Sequence, residues 1–190
     1  MFSEKGQTLM ELIVVISVSV IIIGALVFAT IASLRNAQFS KNQAQATKLA
    51  QEGIELVRVG RDQNKSITNI PSANVDSWNG SISNPTYLIW TYQIFNGCGS
   101  GVSGTACYFK LTSTGGVLTG TLNYIISSTS FPTSGTEDPL GDGKFKRVVI
   151  LSDESTNNLY QVQKNVTVIV RWTDFSGNHE SRLITILRKI

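Results

Sequence analysis

From Leu12 to Leu34 the chain runs for 23 residues without one charge. At a helical rise of about 1.5 Å per residue that run would extend roughly 35 Å, enough to cross a bilayer core with some tilt. A carboxylate, Glu11, stands at its head, five residues beyond Gly6. An acidic group at the edge of a membrane helix costs free energy unless it finds a partner. Glu11 is therefore a candidate functional residue. Charge does not set the orientation, since Lys5 lies on one side and Arg35, Lys41 and Lys48 on the other.

Past Leu34 the chain turns polar without proline as far as Val59, and Ala, Gln, Lys and Leu dominate, so the helix is expected to continue. Phe39, Ala46, Leu49, Ala50, Gly53, Leu56 and Val57 recur at spacings of three and four and mark one buried face. Small residues on that face let a sheet approach closely, and Gly60 is the expected stop.

The segment 61–85 reads as a polar connector, with Trp78 pinning it to a core. Strands follow. Tyr87–Phe95, Cys107–Leu111, Leu122–Ile126 and Lys144–Leu151 are rich in aromatic and β-branched residues. Val166, Val168, Val170 and Trp172 alternate with Thr167, Ile169 and Arg171, and Leu183–Ile190 answers them after the turn Asp174–Asn178. The expected fold is α+β, a long N-terminal helix packed by its second half on an antiparallel sheet.

Gly6-Gln7-Thr8-Leu9-Met10-Glu11, followed by the apolar run, resembles the processing motif of type IV prepilins and type II secretion pseudopilins. Gln7 stands where that family usually has phenylalanine. Leu49–Arg58 and Val166–Trp172 are similar to the corresponding helix and C-terminal strand of PilV-like minor pilins. The resemblance implies a leader 1–6, a membrane and filament-core helix 7–34, its amphipathic continuation 35–60, the connector, and a sheet head 86–190. It implies cleavage between Gly6 and Gln7 by a prepilin peptidase, methylation of Gln7, and a role for Glu11 in assembly. The partners implied are other pilin or pseudopilin subunits, the peptidase, an inner-membrane assembly platform and membrane lipid. The chain would be a single-pass membrane protein of a bacterium, with its N-terminus cytoplasmic and its head outside, before it joins an extracellular or periplasmic filament.

Other residues weigh less. Cys98 and Cys107 flank a glycine-rich tip, and a disulfide between them would close a ten-residue loop, worth roughly 2.5–3 kcal/mol. Glu137, Asp138 and Asp142 crowd one stretch, and Asp138 and Asp142 are the calcium candidates. The spacing does not fit an EF-hand loop, however, and such tracts usually make turns, so no metal is expected. Lys144, Lys146, Arg147, Arg182, Arg188 and Lys189 could form a basic patch, but a net charge of +3 and alternation along strands argue against nucleic acid. Ser, His and Asp occur in no nucleophile motif, so neither an enzyme nor a cofactor is expected. Two rival readings remain, a signal-anchored extracellular binding domain and a DNA-binding or adhesive tip subunit.

Overall fold

A computed structural model describes residues 5–63, 67–68, 106–114, 117–128, 137–152 and 163–188. The chain divides into two units, Met1–Gln43 and Ala44–Ile190. One helix, α1 (Lys5–Asp62), supplies the described part of the first unit and opens the second. It starts before Gln7 and does not stop at Gly60, because its last turn is held by one distant contact and one further bond of the helical ladder. Arg61 Nη1 donates to the Arg188 carbonyl at 2.7 Å, and Gln63 N–H donates to the Val59 carbonyl at 2.9 Å. Those bonds offset the roughly 1 kcal/mol that a glycine costs a helix.

Among the described residues the second unit holds a seven-stranded sheet. Its strands are β1 (Ile67–Thr68), β2 (Ala106–Thr114), β3 (Val117–Ser128), β4 (Asp138–Leu140), β5 (Phe145–Ser152), β6 (Gln163–Asp174) and β7 (Gly177–Arg188). The spatial order is β1-β3-β2-β5-β6-β7, with β4 paired to β5 off that path. Every pair is antiparallel except β1 with β3, a two-residue parallel contact inside the stretch read as connector. The α+β layout expected from the sequence is the one found. Trp78, the Tyr87–Phe95 strand and Cys98 lie outside the described residues.

The core lies between the second half of α1 and one face of the sheet. Ala46, Ala50, Ile54 and Val57 meet Phe109, Leu122, Val149, Val166, Val168 and Trp172. Three of the expected face residues behave differently. Leu49 and Leu56 only pack at the edge, and Phe39 is 39% exposed. Periodicity fixes which face is apolar, not how far along the helix that face is covered.

Gly53 explains the close approach. A Cβ there would lie 2.9 Å from Val168 Cγ1 and 3.2 Å from Arg147 Cδ, so only glycine lets helix and sheet meet at this level. On the opposite face of the sheet a smaller cluster joins Tyr108, Val148 and Ile169.

Candidate functional site on the N-terminal helix

In the first unit the long apolar run is exposed rather than buried. Every residue from Leu9 to Ile31 is exposed, including Ile21 at 71% and Phe28 at 76%. A globular surface rarely presents so much contiguous apolar area without a partner or a lipid phase to take it. The helix is long and apolar enough to cross a membrane. Three of its hydroxyl groups are satisfied within the helix. Ser17, Ser19 and Thr30 each donate a hydroxyl hydrogen bond at 2.8 Å to the carbonyl four residues back, namely Ile13, Val15 and Leu26. This is how hydroxyl residues are carried through a low-dielectric medium without an orphan donor. Gly24 has open space where a Cβ would stand, so no contact within the chain demands it.

Glu11 is exposed on the first turns of this helix, and Gly6 and Gln7 lie in its first turn. The structure therefore places Glu11 and the Gly6–Gln7 bond on one helical element, at the polar end of the uncharged run.

Elsewhere the sequence candidates fare differently. Asp138 is not in a turn. It lies on β4 opposite Arg147, and the turn is confined to 141–144. Burial pushes the Asp138 carboxyl up, while Arg147 and Lys110 pull it down. Asp142 Oδ1 accepts the Lys144 backbone N–H at 3.1 Å, the capping of its own turn. No group of three or more side chains able to hold a metal occurs among the described residues. Cys107 is buried at the start of β2, and no cysteine among the described residues is free.

Arg147 is the largest correction. Weighed in the sequence as part of a basic patch or, in preference, of a solvated strand face, it is fully buried instead, under α1. Its Nη1 donates to the Leu49 carbonyl at 3.3 Å and lies 3.9 Å from Glu52 Oε2, while Nε and Nη2 have no hydrogen-bond partner among the described residues. Burial lowers its pKa, and Glu52 and Asp138 oppose that shift. Alternation carries the signal that finds it. Phe145, Val149 and Leu151 face the core, and Arg147 shares their parity. Arg182 is tied to Glu180 at 3.2 Å, and Lys189 lies outside the described residues.

One cluster was not legible as a unit. At the β6–β7 hairpin, Ser176 Oγ donates to Asp174 Oδ1 at 2.6 Å, and His179 Nε2 lies 2.9 Å from both atoms, with its ring stacked on Trp172 at 5.3 Å. The Ser176 hydroxyl, then its backbone N–H and His179, hold the Asp174 pKa down to about 2. These are the residue types of a hydrolytic triad in the wrong arrangement. A triad histidine bridges serine and carboxylate through two different ring nitrogens, whereas here one nitrogen faces both. The cluster ties down a two-residue turn.

No protein-family model matches the chain, and no curated protein or solved structure matches it.

Proposed function

We propose that this chain is a prepilin-type subunit, a minor pilin or pseudopilin, with a structural rather than catalytic role. The observation that carries the reading is the fully exposed apolar helix headed by Glu11 and preceded, five residues earlier, by Gly6. Such a helix suits two successive environments, first a bilayer and then the core of a helical filament. A membrane peptidase cuts between Gly6 and Gln7, and Gln7 is then methylated. The head lies outside the cytoplasm, where Cys98 and Cys107 are bonded, since such bonds persist under oxidising conditions. The partners are other subunits of the same type, the peptidase and the assembly platform in the membrane.

Glu11 is the assembly residue. After cleavage each subunit carries a positive amine on Gln7, about one helical turn from its own carboxylate. In the packed filament that carboxylate pairs with the amine of a neighbouring subunit, which sets axial register, because a misaligned helix leaves a charge unpaired in an apolar setting. The cost of an isolated carboxylate at the bilayer centre is at least about 2.5–3.5 kcal/mol, and less at the shallow depth of Glu11. Glu11→Ala removes the register device and makes insertion easier. The expected outcome is normal insertion and processing with loss of incorporation, read by co-purification with filaments. An alanine variant that assembles as well as wild type would remove the assembly role.

A further inference from the structure

The last strand carries a pattern that the core does not explain. On β7, Ser181 and Leu187 are buried, and Thr185 accepts a hydrogen bond from Arg58 Nη2 at 3.2 Å, so the odd-numbered residues face the helix. The even-numbered ones, Glu180, Arg182, Ile184, Ile186 and Arg188, are all exposed on the other face, with Ile184 at 63% and Ile186 at 45%. Among the described residues β7 pairs only with β6. The two-residue turn makes Asp174 and Gly177 a hydrogen-bonded pair, so the even-numbered residues of β7 fall at the positions that turn away from β6, and the Arg188 carbonyl accepts from Arg61 Nη1. In an antiparallel ladder the N–H and C=O of one residue point to the same side, and alternate residues repeat that direction. Glu180, Arg182, Ile184 and Ile186 therefore direct their backbone groups toward the same edge. An edge strand with exposed isoleucines is a template for strand addition unless charge or a bulge blocks it.

The charges here select a partner instead of blocking one. The geometry points to a second copy of this chain, added antiparallel along β7 and centred on Ile184. In that register Ile184 meets Ile184 of the other copy, Arg182 meets Ile186, and Glu180 meets Arg188. The strand is self-complementary: one apolar contact lies at the two-fold axis and an opposite-charge pair closes each end. The arginine stems at 182 cover the isoleucines at 186. Arg61 does not close the edge, because a carbonyl has a second lone pair and Arg188 keeps one for the incoming N–H. This dimer is separate from any contact made by the apolar helix and does not depend on how that helix is used.

The test uses the full-length protein in lipid vesicles. Ile184→Cys is oxidised and run on a non-reducing gel beside Phe175→Cys, an exposed position at the neighbouring turn, and beside wild type. The structure predicts a dimer band for Ile184→Cys well above both. In the Ile184→Cys background, Glu180→Arg or Arg188→Glu alone sets like charges at both ends, and the dimer falls about tenfold or more. Mixing those two variants restores opposite charges at both ends, and the band returns, which also shows that each is folded. Equal bands at positions 184 and 175, crosslinking to a different protein, or single variants that dimerise like their parent would each overturn the proposal.

Discussion

The two stretches of α1 solve the problem of apolar surface in opposite ways. Between Ala46 and Val57 the buried face is made of small or medium residues at spacings of three and four, and its partner is a sheet of the same chain. Between Leu12 and Leu34 the helix is uncharged and predominantly apolar all round, many of its side chains are large, and none is buried. A stripe on one side specifies a single neighbour, so it can be met by a fold. An apolar circumference specifies a surrounding medium. The chain encodes one helix with two different kinds of surface, and the glycines reflect the difference. Val168 and Arg147 leave no room for a side chain at Gly53, whereas Gly24 has open space around it among the described residues.

The contrast is broken most sharply with two phenylalanines. Phe109 is fully buried, so Phe109→Ala should cost the head about 3–5 kcal/mol. Phe28→Ala, at a position 76% exposed, should leave head unfolding within about 0.5 kcal/mol of wild type. Chemical denaturation of detergent-solubilised protein, followed by tryptophan fluorescence, reads both. An equal loss from the two would mean that the stretches share one cooperative core.

The glycines sharpen the same contrast at smaller size. Gly53→Ala meets a fully buried Val168, and the overpacking of about 1–3 kcal/mol exceeds or cancels the roughly 1 kcal/mol gained in helix propensity. Gly24→Ala meets nothing and gains the propensity term alone. The expected result is a lower midpoint for the first variant and more helix, by circular dichroism, for the second. Opposite signs are the signature; a shared sign would erase the distinction.

Arg147 supplies the smallest and least intuitive effect. Replacing a buried ion by an apolar residue of similar volume is often neutral or stabilising, whereas removing only its partner leaves the charge exposed to its full desolvation cost. Arg147→Met should therefore match or exceed wild-type stability in the same denaturation assay, and Glu52→Ala should fall below it. A large loss from Arg147→Met would show that the Leu49 and Glu52 contacts are net stabilising.

Much of this was legible in the sequence, and for definite reasons. Residues 46–57 and the β6–β7 hairpin follow periods of 3.6 and 2 because a single continuous partner covers each. Strand β1 escaped because two residues make no period, and because its pairing with Leu122 and Asn123 is non-local. Arg147 was misread because its charge was weighed before its parity. The Asp174–Ser176–His179 cluster depends on a two-residue turn and on the stacking of His179 over Trp172, neither of which composition reveals. Gly6, Gln7 and Glu11 form a local sequence motif at the head of the apolar run, and the processing role proposed for them rests on that motif rather than on the fold.

The central claim is that the apolar helix belongs to a processed filament subunit. Intact-mass and N-terminal analysis of the protein extracted from membranes tests it most directly. The account predicts a chain beginning at Gln7 and carrying one added methyl group, with Gly6→Leu retaining residues 1–6. A membrane-resident wild-type chain that still begins at Met1, unmethylated, would contradict it.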